Sequence, residues 1–136
     1  MSPSGAGPAH ETIRGIGVDL AKIPRMRQVV ARWQDRFLRR VFTEQEIAYC
    51  QRRHDPIPHL AARFAAKEAI SKAFGTGIGA QLSWQDMEIR RKESGEPFVV
   101  LHGKGKVLFE SRGAKQLHIS LSHTEHYAAA TAILEG

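Results

Sequence analysis

At 136 residues, 42% of them hydrophobic, the chain is long enough for one domain with its own core and too apolar for wholesale disorder. Its single cysteine excludes an intrachain disulfide framework, and the lack of any apolar run of about eighteen residues excludes a transmembrane helix. A net charge of +6 and a pI near 9.9 ask for an anionic partner: nucleic acid, anionic lipid or an acidic protein.

Residues Met1 to Glu11 are rich in Ser, Gly, Pro and Ala and read as a tail, placed at 1–12, ahead of one domain over 13–136. No basic region followed by an apolar stretch marks a signal peptide, so a cytoplasmic protein is expected. A strand is predicted from Arg14 to Leu20. Alternation puts Ile16, Val18 and Leu20 on one face and Gly15, Gly17 and Asp19 on the other. Two glycines beside an acid leave room for a ligand or another backbone. Asp19 either serves a ligand there or caps the helix that follows.

Ile23, Met26, Val30, Trp33 and Phe37 recur at helical spacing, predicting one amphipathic helix with Pro24 in its first turn. Trp33 and Phe37 fall on the apolar stripe, so they are expected in the core. That weakens a single-stranded nucleic-acid site, which needs exposed aromatics among its cations. Thr43 and Glu46 make a capping-box pattern for a second helix through about Gln51. A third helix is predicted from Pro58 to near Gly75. On it Glu68 and Lys72 are four apart and share a face, as do Arg63 and Lys67 on a neighbouring one. A carboxylate among cations suits a magnesium-phosphate site, the acid holding metal and the cations holding phosphate oxygens. It equally suits a solvated helix surface with one favourable ion pair.

Gly75 to Gly79 is a glycine loop that either approaches a ligand or only ends the helix. Strands are predicted at Asp86–Arg91 and Pro97–His102, a short helix at Lys106–Arg112, and a hairpin from Leu117–Ser122 and Tyr127–Leu134. In its first arm Leu117, Ile119 and Leu121 face the core, while His118, Ser120 and Ser122 face away together. Such a polar row binds phosphate or nucleotide edges, or is simply solvated. The second arm is alanine-rich, yet its tight connection favours strand over helix. The fold class expected is α+β, an antiparallel sheet packed by helices.

Seven segments in order resemble the holo-acyl-carrier-protein synthases, the small bacterial 4′-phosphopantetheinyl transferases, from about Ile13 to the end. They are Gly15-Ile16-Gly17-Val18-Asp19; Phe42-Thr43-Glu44-Gln45-Glu46; Arg63-Phe64-Ala65-Ala66-Lys67-Glu68-Ala69 with Lys72-Ala73; and Gly75-Thr76-Gly77-Ile78-Gly79. Asp86-Met87-Glu88-Ile89, Gly95-Glu96-Pro97 and His118-Ile119-Ser120-Leu121-Ser122-His123 complete the set. The longer N-terminus and Pro24 depart from the pattern.

The resemblance implies magnesium-dependent transfer of 4′-phosphopantetheine from coenzyme A to a serine of apo-acyl carrier protein, releasing adenosine 3′,5′-bisphosphate. It implies Asp19 and Glu68 as metal ligands, with Lys72 on phosphate. Arg63, Lys72, Gly75, Pro97, His118 and Ser120 are the implied coenzyme A contacts. It also implies a homotrimer with sites at subunit interfaces. Acyl carrier proteins are acidic, so Arg25, Arg27, Arg32 and Arg36 are expected to dock them. A nucleic-acid-binding module and a magnesium-dependent nucleotide phosphohydrolase remain as rival readings.

Overall fold

The computed structural model describes residues 12–136, so the expected tail, Met1–Glu11, lies outside the described residues. Thr12, assigned to the tail by sequence, belongs to the fold: it exchanges two backbone hydrogen bonds with Gly136. The chain then runs β1 (Ile13–Lys22), α1 (Ile23–Trp33), α2 (Asp35–Val41), α3 (Glu44–Gln51) and α4 (Pro56–Phe74). After a short 3-10 turn at Trp84–Asp86 come β2 (Met87–Arg91), β3 (Pro97–Leu101), α5 (Gly103–Ser111), β4 (Gln116–His123) and β5 (Tyr127–Glu135). The main sheet is antiparallel in the order β1-β5-β4, and β2 and β3 form a separate hairpin. The α+β class and the alanine-rich strand are as expected. β5 is the central strand, and pairing on both sides outweighs the helix preference of alanine.

α4 packs across β1 and β5 on a seam of small residues. Ala128, Ala130 and Ala132 of β5 and Ala65, Ala66 and Ala69 of α4 are fully or almost fully buried. On β1, a Cβ added at Gly15 would collide with the Ala73 carbonyl, and one at Gly17 with the Ala69 carbonyl. The space beside Asp19 is therefore filled by the backbone of α4. Gly17→Ala should cost about 3 kcal/mol by overpacking, read as a lowered urea midpoint. An unchanged midpoint would show that α4 can move aside freely.

The opposite face of the sheet is uncovered in the single chain. Ile16, Val18 and Leu20 are 60%, 60% and 64% exposed, and Tyr127 lies on the same side. Leu117, Ile119 and Leu121 face α4, as the alternation predicts, and pack against the core.

The single helix expected from Ile23 to Phe37 is two. Gln34 adopts φ 49°, ψ −130°, ends α1 and starts α2. Ile23 and Met26 remain buried and Phe37 packs on Phe42 and Phe64, but the break turns Trp33 out to 46% exposure. Its indole lies beneath the Arg32 guanidinium at 5.1 Å. Trp33 is thus a surface residue, not a core one. α4 starts two residues before the predicted Pro58, with Asp55 accepting from the Ile57 amide as its cap. No described helix is long and apolar enough to cross a membrane.

Candidate active site

The capping box at Thr43 and Glu46 is present and does more than cap α3. Glu46 Oε1 accepts from the Thr43 amide and from Lys67 Nζ at 2.7 Å, and Oε2 accepts from the Ile89 amide. Lys67 Nζ also donates to the Val41 and Trp84 carbonyls. Lys67 is wholly buried; burial draws its ammonium below the usual range, and Glu46 opposes that. All three of its donors have partners, so Lys67 is a structural cation and not one of the phosphate ligands its place beside Glu68 suggests. Glu88, buried as well, accepts from Thr43 Oγ1 and Arg90 Nη2 and pairs with His102 Nε2. Burial pushes its carboxyl up, but these contacts together carry it below the usual carboxylate range. The two buried carboxylates fix α3, β2 and α4 to one another.

With the rotation of α4 set by Lys67, its next residue Glu68 and the following-turn Lys72 turn toward β1. Asp19 projects from the helix-facing side of β1, opposite Ala130. Lys72 Nζ donates to Asp19 Oδ1 at 2.8 Å and to the Val18 carbonyl at 3.2 Å. That bond raises the ammonium above its ordinary value. The Glu68 carboxyl is pushed up, first by burial and then by the charge of Asp19, with Lys72 opposing. Asp19 does not cap α1, whose N-terminus has no side-chain cap. Asp19, Glu68 and Lys72 thus form one cluster across the seam.

The cluster offers two repelling, partly buried carboxylates and one half-exposed cation. Among the described residues no group of three or more His, Cys, Asp or Glu is placed to hold a metal. Two hard oxygen donors, with other positions left to water and substrate phosphate, are the donor set magnesium takes. The residues present fit that ion.

A second basic cluster lies one to two turns back along α4. Arg63 is 1% exposed; Nη1 donates weakly to the His59 carbonyl, and Nε has no partner. Its guanidinium sits 4.3 Å over the Tyr49 ring, with Arg53 at 4.2 Å. Arg63 lines a cleft of about 340 Å³ with Gln45, Tyr49, Arg52, Arg90 and Arg91. The His59 and His123 rings meet at 5.8 Å. Burial, then Arg63, His123, Arg53 and Arg91, draw His59 below its usual range. The cations are crowded, and Arg63 Nε and Arg90 Nε of the same cleft are both buried without a hydrogen-bond partner, a setting that suits an anion.

The other sequence candidates are scattered. Gly75 is the left-handed C-cap of α4, at φ 82° and three residues past Lys72. Pro97 opens β3 opposite Arg91 of the cleft. His118 and Ser120 lie on the uncovered sheet face, His118 Nε2 pairing with Glu135 Oε1 at 2.9 Å. Within one chain they join neither cluster. Arg25 is exposed on the first turn of α1 beside His126 and Tyr127. Arg36 borders an open groove with Trp33, Phe37 and Arg40, and Arg32 covers Trp33. Arg27 is exposed and pairs with Asp55 through two hydrogen bonds. The sequence reading did not single out His59, Arg53, Arg91 or His123 as site candidates, although His123 stands in one of its family segments. The same alternation that turned His118 away places His123 on the face toward α4, and that signal was available.

A family model described as the 4′-phosphopantetheinyl transferase superfamily matches residues 15–132. A curated holo-[acyl-carrier-protein] synthase of Koribacter versatilis is 46% identical over 123 residues, covering 90% of this chain and 98% of that protein. Among solved structures, the holo-[acyl-carrier-protein] synthase of Neisseria meningitidis superposes with a TM-score of 0.86 at 30% identity, over 92% of this chain and 100% of that one. The Helicobacter pylori enzyme in complex with coenzyme A gives 0.77 at 32% identity, over 88% and 98%. The chain belongs to the 4′-phosphopantetheinyl transferase superfamily and, within it, to the holo-acyl-carrier-protein synthases.

Proposed function

We propose that this chain moves the 4′-phosphopantetheine of coenzyme A onto a serine of an acidic apo-acyl carrier protein, with magnesium held by Asp19 and Glu68. The juxtaposition of Asp19, Glu68 and Lys72 across the helix–sheet seam carries the reading. In the reaction a serine Oγ–phosphorus bond forms and the phosphoric anhydride bond breaks. The hydroxyl proton leaves, and adenosine 3′,5′-bisphosphate departs. Magnesium, when bound, neutralises the charge that builds on the pyrophosphate. Lys72 Nζ, swinging from Asp19, contacts a phosphate oxygen. The rest of the task is positioning.

Arg63 is the coenzyme A contact best supported by its surroundings. Its orphaned Nε and the cations Arg53, Arg91, His59 and His123 suit the 3′-phosphate, with Tyr49 and Pro97 nearby. Gly75 allows close approach beside the pyrophosphate. His118 and Ser120 remain candidates only for a site shared between subunits. The apolar face of Ile16, Val18, Leu20 and Tyr127 supports the proposed homotrimer, since a patch of this kind marks an interface.

The test is incubation with coenzyme A, magnesium and apo-carrier, followed by mass spectrometry of the carrier. A gain of one phosphopantetheine supports the reading. Release of adenosine 3′,5′-bisphosphate and free 4′-phosphopantetheine without carrier would instead favour hydrolysis.

The carrier should dock on α1 and α2, where Arg25, Arg36 and Arg40 are exposed and Trp33 adds apolar contact. Arg25→Glu should raise the carrier KM about tenfold and reduce its salt dependence, leaving coenzyme A affinity unchanged. Equal constants and equal salt slopes would make these arginines a solvated face.

A further inference from the structure

Arg27, one of the expected carrier contacts, is exposed, and its guanidinium is paired at the surface with Asp55. Nη1 donates to Oδ1 at 3.2 Å and Nη2 to Oδ2 at 2.7 Å, a two-point fork. Asp55 Oδ1 is also the acceptor that caps α4 at the Ile57 amide. The pairing raises the Arg27 guanidinium and holds the Asp55 carboxyl below its usual range. One carboxylate thus joins the proposed docking helix to the N-terminus of the helix that carries Glu68 and Lys72.

The fully buried anchors of α1 lie along its first turn. The Ile23 amide donates to the His126 carbonyl, and Ile23 and Met26 are buried. Beyond that turn Val30 rests partly buried against the core, and no residue up to the Gln34 break is fully buried. Arg27 follows Met26 directly and extends the anchored length toward α4. We infer that Arg27 is a positioning residue: through Asp55 it fixes α1 against the start of α4, and so sets where a docked carrier presents its serine. This inference rests on the proposed transfer reaction and on α1 as part of the docking surface.

A double-mutant cycle of Arg27→Ala and Asp55→Asn tests it. Asparagine still caps α4 but has no charge for Arg27. The measurements are kcat, KM for carrier and for coenzyme A, and the salt slope of the carrier KM. Positioning predicts that each variant raises the carrier KM about two- to fivefold, the range of an exposed ion pair. The double variant should be no worse than either single one, with coenzyme A KM and salt slope unchanged. Arg27→Ala alone raising the KM, with a flatter salt slope and Asp55→Asn silent, would mean that Arg27 touches the carrier directly and would overturn the inference. So would two silent variants, or a loss of thermal stability with both KM values intact. Wild-type transfer controls for the reaction itself. Carrier affinity titrated without coenzyme A reads the Arg27–Asp55 link even if that reaction fails.

Discussion

Glu68→Gln is expected to lose transfer by about a thousandfold, roughly 4 kcal/mol, and at the same time to melt higher than the parent in magnesium-free buffer at pH 7. The loss follows if the carboxylate holds the metal. The gain follows from its environment. Burial and the charge of Asp19 raise the folded-state pKa of Glu68 above the value it regains on unfolding. The stability that this supplies is complete below the ordinary carboxylate range and disappears as pH rises through the elevated value. Glutamine, neutral throughout, keeps it. The two proteins should therefore melt together at about pH 4 and separate as pH rises. Near-parental turnover at limiting magnesium would remove Glu68 from the metal site. A variant that melts lower at pH 7 would mean that Glu68 is ionised at no cost to the fold.

Lys67→Ala should fail for the opposite reason. It leaves Glu46 as a buried carboxylate without its cation and leaves the Val41 and Trp84 carbonyls without that donor. Breaking one side of a buried pair costs about 3–5 kcal/mol, a large part of a domain's total stability of about 5–15 kcal/mol. Urea denaturation measures it, and a midpoint within error of the parent would contradict the structural role. Lys72→Ala supplies the contrast. Its ammonium is half exposed, so stability should hardly change, while kcat at saturating substrates falls about tenfold to a hundredfold. The two lysines lie five residues apart on one helix, and the expected outcomes differ in kind.

That contrast marks the limit of what the amino-acid order discloses. Helical spacing put Glu68 and Lys72 on one face and alternation put Asp19 beside Gly17, so the triad was legible as two halves. Which partner Lys67 meets was not, because Glu46 is 21 residues away and no local rule joins them. The capping box showed only the near half of Glu46's bonding. The break at Gln34 escaped for a related reason: the apolar spacing from Ile23 to Phe37 is unbroken, and a single positive φ overrides it. The glycines were read correctly as a close approach, with the identity of the approaching group left open. Alternation also sorted β1 into two faces without revealing that α4 covers the glycine side and leaves the isoleucine, valine and leucine side bare.

The glycine–alanine seam has a consequence for how the molecule opens. Where backbone meets backbone, little side-chain volume is available to yield, and β1 cannot separate from α4 by small steps. Amide protons of β5, those of β1 bonded to β5, and those in the middle of α4 should exchange with deuterium only through global unfolding, whereas those around Gln34 should exchange through local fraying. The acids would then ride on the slowest-opening part of the chain, and the surface offered to a partner on one of the fastest. Temperature would blur the docking face well before it disturbed the spacing of Asp19 and Glu68.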